Sequence, residues 1–278
     1  MTDFCGMPVL TIKSKHLEVD VLRNGGPRIA RLRLAGATEN LLGEVPDAHW
    51  PTPHGEFHPY GGHRLWAAPE NQPFSQIPDE TGVELTEMAD GVKLELPSSP
   101  GNALRRGMTI RLEPDHAGLV IEHSLVNESK EPVECAPWGI TVLPLGGRAI
   151  LPWREKKAFS GSVMPDRSLS LWEYTSLRDD RLQVTDDFIV VQGRPAMPPC
   201  KVGIYTPFGW GAYTLGEHTL IKRFDVHPGM KYPDFGCNAE IYCNDTFLEL
   251  ESLGPMSVLQ PGDSANHTEH WELVPAGH

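Results

Sequence analysis

The segment Phe247-Leu248-Glu249-Leu250-Glu251-Ser252-Leu253 alternates. In an extended chain Leu248 and Leu250 share one face and Glu249 and Glu251 the other. Residues two apart on a strand are roughly 6.6 Å apart. Two carboxylates that close, on a partly desolvated face, raise one another's pKa. A carboxylate so raised can act as a general base near neutral pH. The alternative is a solvated strand face with two inert glutamates. A second chemical run is Tyr60-Gly61-Gly62-His63-Arg64-Leu65-Trp66-Ala67-Ala68-Pro69-Glu70. Its glycines let the backbone turn and present His63 and Arg64. Arginine offers a planar fork of donors to hydroxyls or a carboxylate. The alternative here is a surface turn with a structural arginine.

Three further groups carry weaker signals. His49, His54, His58 and His63 are spaced as if for a metal, but the prolines and glycines among them forbid a helix that would align them. His267 and His270 lie three apart on an expected strand, hence on opposite faces. Trp66, Trp138, Trp153, Trp172, Trp210 and Tyr232 could stack on the C–H faces of a sugar, although core packing is the usual fate of a tryptophan. The turn Tyr232-Pro233-Asp234-Phe235-Gly236-Cys237-Asn238-Ala239-Glu240 offers Asp234 and Glu240 to the same acidic cleft as Glu249 and Glu251. Such oxygen ligands could also hold calcium. Neither metal reading is preferred, and no cofactor is expected.

The elements that must position these groups are strands. Glycine (27) and proline (26) are spread along the 278 residues and break any long helix. Leu17, Val19 and Val21 alternate with Glu18 and Asp20; Val92, Leu94 and Leu96, and Met108, Ile110 and Leu112, repeat the pattern. Asp90-Gly91, between Val83–Met88 and Val92–Leu96, predicts a two-residue hairpin. Further strands are expected at Leu119–Val126, Phe188–Gln192, Lys201–Thr206, Thr219–Phe224, Glu240–Cys243, Phe247–Leu253 and His270–Val274. Ser176–Leu182 is the one place where a short helix fits. Many short strands between turn residues predict an all-β sandwich or barrel, and the even composition favours one domain over residues 1–278.

A net charge of −13 argues against a general nucleic-acid binder. There is no apolar run long enough for a spanning helix and no secretory leader, so the cytoplasm and no membrane partner are expected. The five cysteines form no CxxC pair and read as thiols in a reducing compartment. A monomer or homodimer is expected.

Together, Gly61-Gly62-His63-Arg64, the strand before Trp138, and Leu250-Glu251 followed by Leu259-Gln260-Pro261-Gly262-Asp263 and His267 resemble the galactose-mutarotase-like (aldose 1-epimerase-like) superfamily. The similarity spans about Leu17 to Leu273, and it rests on the order and spacing of short motifs. The resemblance implies a large twisted antiparallel β-sandwich, a supersandwich, with a sugar cleft on its concave face. It implies Glu251 as the base that takes the anomeric proton and Arg64 as a sugar ligand. It implies a small-molecule carbohydrate partner; the aromatic and acidic groups read above make Trp138, Trp172, Asp234, Glu240 and Glu249 the expected further contacts. Where mutarotases carry the histidine that protonates the ring oxygen, the best match here is Trp138. An indole N–H donates a hydrogen bond but delivers no proton. Either another residue, His63 being the candidate, supplies the acid, or the cleft does other chemistry, or it only binds. Arg64, with Arg105, Arg106 or Arg154 near it, would suit an anionic ligand.

Overall fold

A computed structural model describes residues 3–71, 74–99, 101–154 and 161–277. Alternating apolar residues do build strands, and every strand pair is antiparallel. An 11-stranded sheet has at its centre Arg28–Leu34, His63–Ala68, Val133–Leu143, Leu248–Leu253, Ala239–Cys243 and Cys200–Ile204, in that spatial order. A 10-stranded sheet packs on it, centred on Leu104–Leu112, Gly118–Asn127, Ser264–Pro275 and His218–Phe224. The expected hairpin forms between Glu84–Met88 and Gly91–Leu96, one residue earlier than predicted: Ala89-Asp90 is the two-residue loop and Gly91 already pairs with Met88.

One apolar interior is shared by both sheets. Leu65, Leu143, Val202, Ile241, Leu248 and Leu250 enter it from the larger sheet; Met108, Ile110, Ile121, Leu220 and Trp271 enter from the smaller. Burying such side chains contributes about 1.5–3 kcal/mol each. Ser176–Leu182 forms turns and the start of the Leu182–Val184 strand rather than a helix. The Asp179 carboxylate instead accepts from the Arg181 backbone N–H and side chain, a local bond that competes with helix. Arg181 is buried, where it also donates to the carbonyls of Ala196, Pro198 and Cys243. Among the described residues no helix is long and apolar enough to cross a membrane.

Candidate functional site

Because alternate residues of the larger sheet fill the interior, the others form its second face. Strand register arranges that face into transverse rows. The middle row runs Arg28, Arg64, Ile140, Glu251, Glu240, Gly203. On one side lie Trp66, Trp138 and Leu253; on the other Val142, Glu249, Tyr242 and Lys201. Four strands from three distant parts of the chain thus bring Arg64, Trp138, Glu240, Glu249 and Glu251 together.

Two turns set this arrangement. Tyr60, Gly61 and Gly62 have φ of 55°, 102° and 70°. A Cβ on Gly61 would lie 2.1 Å from the Gly43 carbonyl oxygen, and one on Gly62 2.2 Å from that of Ile29, so only glycine fits. The turn feeds directly into His63 and Arg64. In the other turn Asp234 and Phe235 have φ of 51° and 64°. Buried Asn238 then fixes the chain by accepting from the Thr206 N–H at 2.7 Å and donating to the Thr206 carbonyl at 2.9 Å. Glu240 follows two residues later.

The centre of the site is a lysine that sequence reasoning missed. Lys201 Nζ lies 3.0 Å from Glu251 Oε2 and 2.9 Å from Glu240 Oε2. Its ammonium also stands 4.7 Å from the ring centres of both Trp138 and Trp172. Trp138 Nε1 donates to the same Glu251 oxygen at 2.7 Å. Glu251 Oε1 is buried with no partner. Burial disfavours the Lys201 charge, but the two carboxylates outweigh it and hold the ammonium well above its usual range.

Glu240 is 0% exposed. The Lys201 ammonium stands 2.9 Å from its Oε2 without hydrogen-bond geometry. Neither Glu240 oxygen has a hydrogen-bond partner, and the negative charge of Asp234 stands close enough to disfavour one on Glu240. Burial, with Glu251 and Asp234 adding and Lys201 opposing, lifts Glu240 well above the carboxylate range. Burial thus favours the protonated form of Glu240, while Glu251 accepts from two donors. Glu249 is also raised by burial, against the pull of Arg64 NH2 at 3.0 Å.

His63 departs from the expectation. It sits beside Arg64 on a strand, so it points to the opposite face, into the interior, at 0% exposure. There it joins a directed chain of hydrogen bonds. Lys222 Nζ donates to Thr141 Oγ1 at 2.6 Å, and Thr141 meets His63 Nδ1 at 2.9 Å. His63 Nε2 meets His123 Nε2 at 2.8 Å, and His123 Nδ1 donates to the His267 carbonyl at 2.9 Å. That last bond puts the His123 proton on Nδ1, so His63 must donate through Nε2 and accept through Nδ1. Glu269 balances Lys222 at 3.3 Å and accepts from Trp271 Nε1 at 2.6 Å and from Ser252. The donor atoms of His63, His123 and Glu269 lie within 4.8 Å of one another. These bonds already use the facing nitrogens, and Lys222 neutralises the carboxylate, so the group works as a polar core and does not fit a cation. The expected catalytic role of His63 is thereby withdrawn: it shares no space with Glu251.

Burial holds His63 and His123 below the usual histidine range and His267 down at about 3, although Glu269 opposes it in each case. The unfolded histidines, near 6.5, therefore bind protons first as pH falls. Stability is complete above about 6.5 and declines toward the folded values, by up to about 4 kcal/mol per pH unit if all three contribute. Urea midpoints measured at pH 7 and pH 5 test this; equal midpoints would show that the three rings do not share this burial.

The other sequence candidates are dispersed. His49 Nδ1 lies 2.6 Å from Glu56 on the surface, with His58 Nε2 3.6 Å from the same carboxylate. His267 is buried and His270 exposed. Arg105 pairs with Glu95 and Glu128, and Arg106 with Asp79. All five cysteines are free thiols. A cavity of about 360 Å³ opens beside Trp66, Asn71, Asn102 and Arg106; it adjoins the aromatic row, and neither Glu251 nor Lys201 lines it.

No protein-family model and no curated protein sequence matches the chain. Solved structures do. A candidate aldose 1-epimerase of Escherichia coli K12 is 14% identical with a TM-score of 0.59, the match covering 97% of this chain and 100% of that one. A galactose mutarotase-like protein of Clostridium acetobutylicum is 9% identical with a TM-score of 0.55, covering 99% and 97%. A TPR-domain containing protein of Parabacteroides distasonis is 12% identical with a TM-score of 0.64; the match covers 96% of this chain and 47% of that one. The fold is thus the galactose-mutarotase-like β-sandwich that the sequence motifs imply.

Proposed function

We propose that this galactose-mutarotase-like sandwich interconverts the anomers of an aldose, with Glu251 as general base and Glu240 as general acid. The observation that carries the reading is the carboxylate pair on one lysine. Glu240 and Glu251 are opposed in register, both buried and both held by Lys201. Paired carboxyls in environments that separate their protonation are the usual source of an acid and a base in one site.

The anomeric hydroxyl would give its proton to the free Oε1 of Glu251. The C1–O5 bond breaks, its electron pair goes to the ring oxygen, and Glu240 supplies the proton there. The open-chain aldehyde rotates about C1–C2, and reclosure returns both protons. Glu240 then fills the role left open by Trp138, and Trp138 orients the base by its hydrogen bond. Because Lys201 stands over the rings of Trp138 and Trp172, those faces serve the lysine before they serve a sugar. A purely stacking role for Trp138 is correspondingly less favoured.

NMR exchange spectroscopy of aldose anomers tests the reading. We expect faster exchange for at least one aldose. Its alkaline limb should follow Glu240, since activity needs this group protonated and is lost as pH rises through its raised pKa. In Glu240→Gln the rate should drop and that limb disappear. Binding of sugars with no acceleration for any of them would refute the catalytic reading.

A further inference from the structure

The row that carries Glu240 and Glu251 continues past Ile140 to Arg64 and then to Arg28. Directly opposed residues share a face about 5 Å apart, and like charges so placed repel. Both guanidinium groups are buried, Arg28 at 1% and Arg64 at 6% exposure. Buried Arg106 adds a third positive charge to the field at Arg28. Two carboxylates partner the three: Asp79 lies 3.2 Å from Arg106, and Glu249 3.0 Å from Arg64. Arg28 NH1 instead meets neutral acceptors, the carbonyls of Pro59 at 2.8 Å and Gly61 at 2.5 Å.

Three cations against two anions leave one surplus positive charge. Burial, helped by Arg64 and Arg106 and opposed by Asp79, pushes Arg28 down to about 10. Donors are also in surplus: Arg64 Nε and NH1, and Nε of Arg28 and Arg106, are buried without partners. Buried charge and unused donors are both costly, and an anion of charge one at Arg64 would neutralise the surplus and engage one of its unused donors. Arg64 and Glu251 are two strand spacings apart, about 10 Å at the backbone, with apolar Ile140 between them.

We propose that Arg64, backed by Arg28, binds the carboxylate of a sugar acid, so that the substrate is a uronate with its anomeric carbon at Glu251. The placement of C1 rests on the epimerase reading; the carboxylate clamp does not. A planar fork meets a carboxylate through two parallel hydrogen bonds. A single surplus charge matches a monoanion better than a phosphate ester.

The test is calorimetric binding and NMR anomer exchange with D-glucuronate and D-galacturonate, beside D-glucose, D-galactose and glucose 6-phosphate. We expect a uronate to bind about 100-fold more tightly than its parent hexose. In Arg64→Gln that advantage should vanish, the uronate losing far more affinity than its parent hexose; Arg64→Lys, which keeps the charge but loses the fork, should fall between. A hexose bound as tightly as its uronate, or the phosphate bound best, overturns the proposal. Exchange accelerated for neutral hexoses alone overturns it and leaves the epimerase reading standing. Tight uronate binding without faster exchange overturns the epimerase reading and upholds the clamp.

Discussion

In Glu251→Gln we expect anomer exchange to fall by about 10⁴-fold, the upper end for loss of a general base. The amide is the same size, and its oxygen can still accept from Trp138 and Lys201, so the fold should survive. Two functions go with the one charge. Oε1 no longer takes a proton. In addition, Lys201 loses one of its two carboxylates and becomes free to stabilise Glu240 as an anion, which removes the acid. The double variant Glu240→Gln/Glu251→Gln should therefore be little worse than Glu251→Gln alone, because residues acting as a unit are not additive. NMR exchange rates with a responsive aldose measure both. A Glu251→Gln rate within tenfold of wild type would remove this residue from the mechanism.

The second large effect concerns stability. Lys222 comes from the smaller sheet, and its ammonium reaches Thr141 Oγ1 and the Leu250 carbonyl of the larger one. Its charge balances Glu269, and both are buried. Lys222→Met leaves the Glu269 carboxylate without a countercharge inside the sandwich. Breaking a buried pair in this way costs about 3–5 kcal/mol, whereas removing both charges costs far less. We expect the thermal midpoint to drop by roughly 6–20 °C at this chain length. Lys222→Met/Glu269→Gln should recover a substantial part of that loss. Thermal unfolding of the wild type, both single variants and the double variant gives the coupling directly. Additive losses would mean that the two charges do not compensate one another. Thr141 and His63 share the network, and His63 adjoins Arg64 along the strand, so the same variants report on how firmly the interior holds the site face.

Sequence by itself determined which residues could share a face. Alternation with period two is a local property of an extended chain, so Glu249 and Glu251 separate from Leu248 and Leu250 whatever pairs with them. The same period puts adjacent His63 and Arg64 on opposite faces, and reading that run as a strand would have withdrawn His63 as the acid. The glycines before it were also legible, because left-handed backbone against the Gly43 and Ile29 carbonyls admits no side chain. Lys201 left one faint trace, a charge between Cys200 and Val202 in an otherwise apolar strand.

Tertiary structure decided which faces meet and in what register. The row from Arg28 to Glu240 joins residues up to 223 positions apart, and no local period specifies a pairing over such a distance. Protonation followed from the same assembly. Glu240 is raised because burial removes water while Lys201 is shared with Glu251 and Asp234 stands beside it. Those are properties of the space between strands, and a chain read one residue at a time does not contain that space.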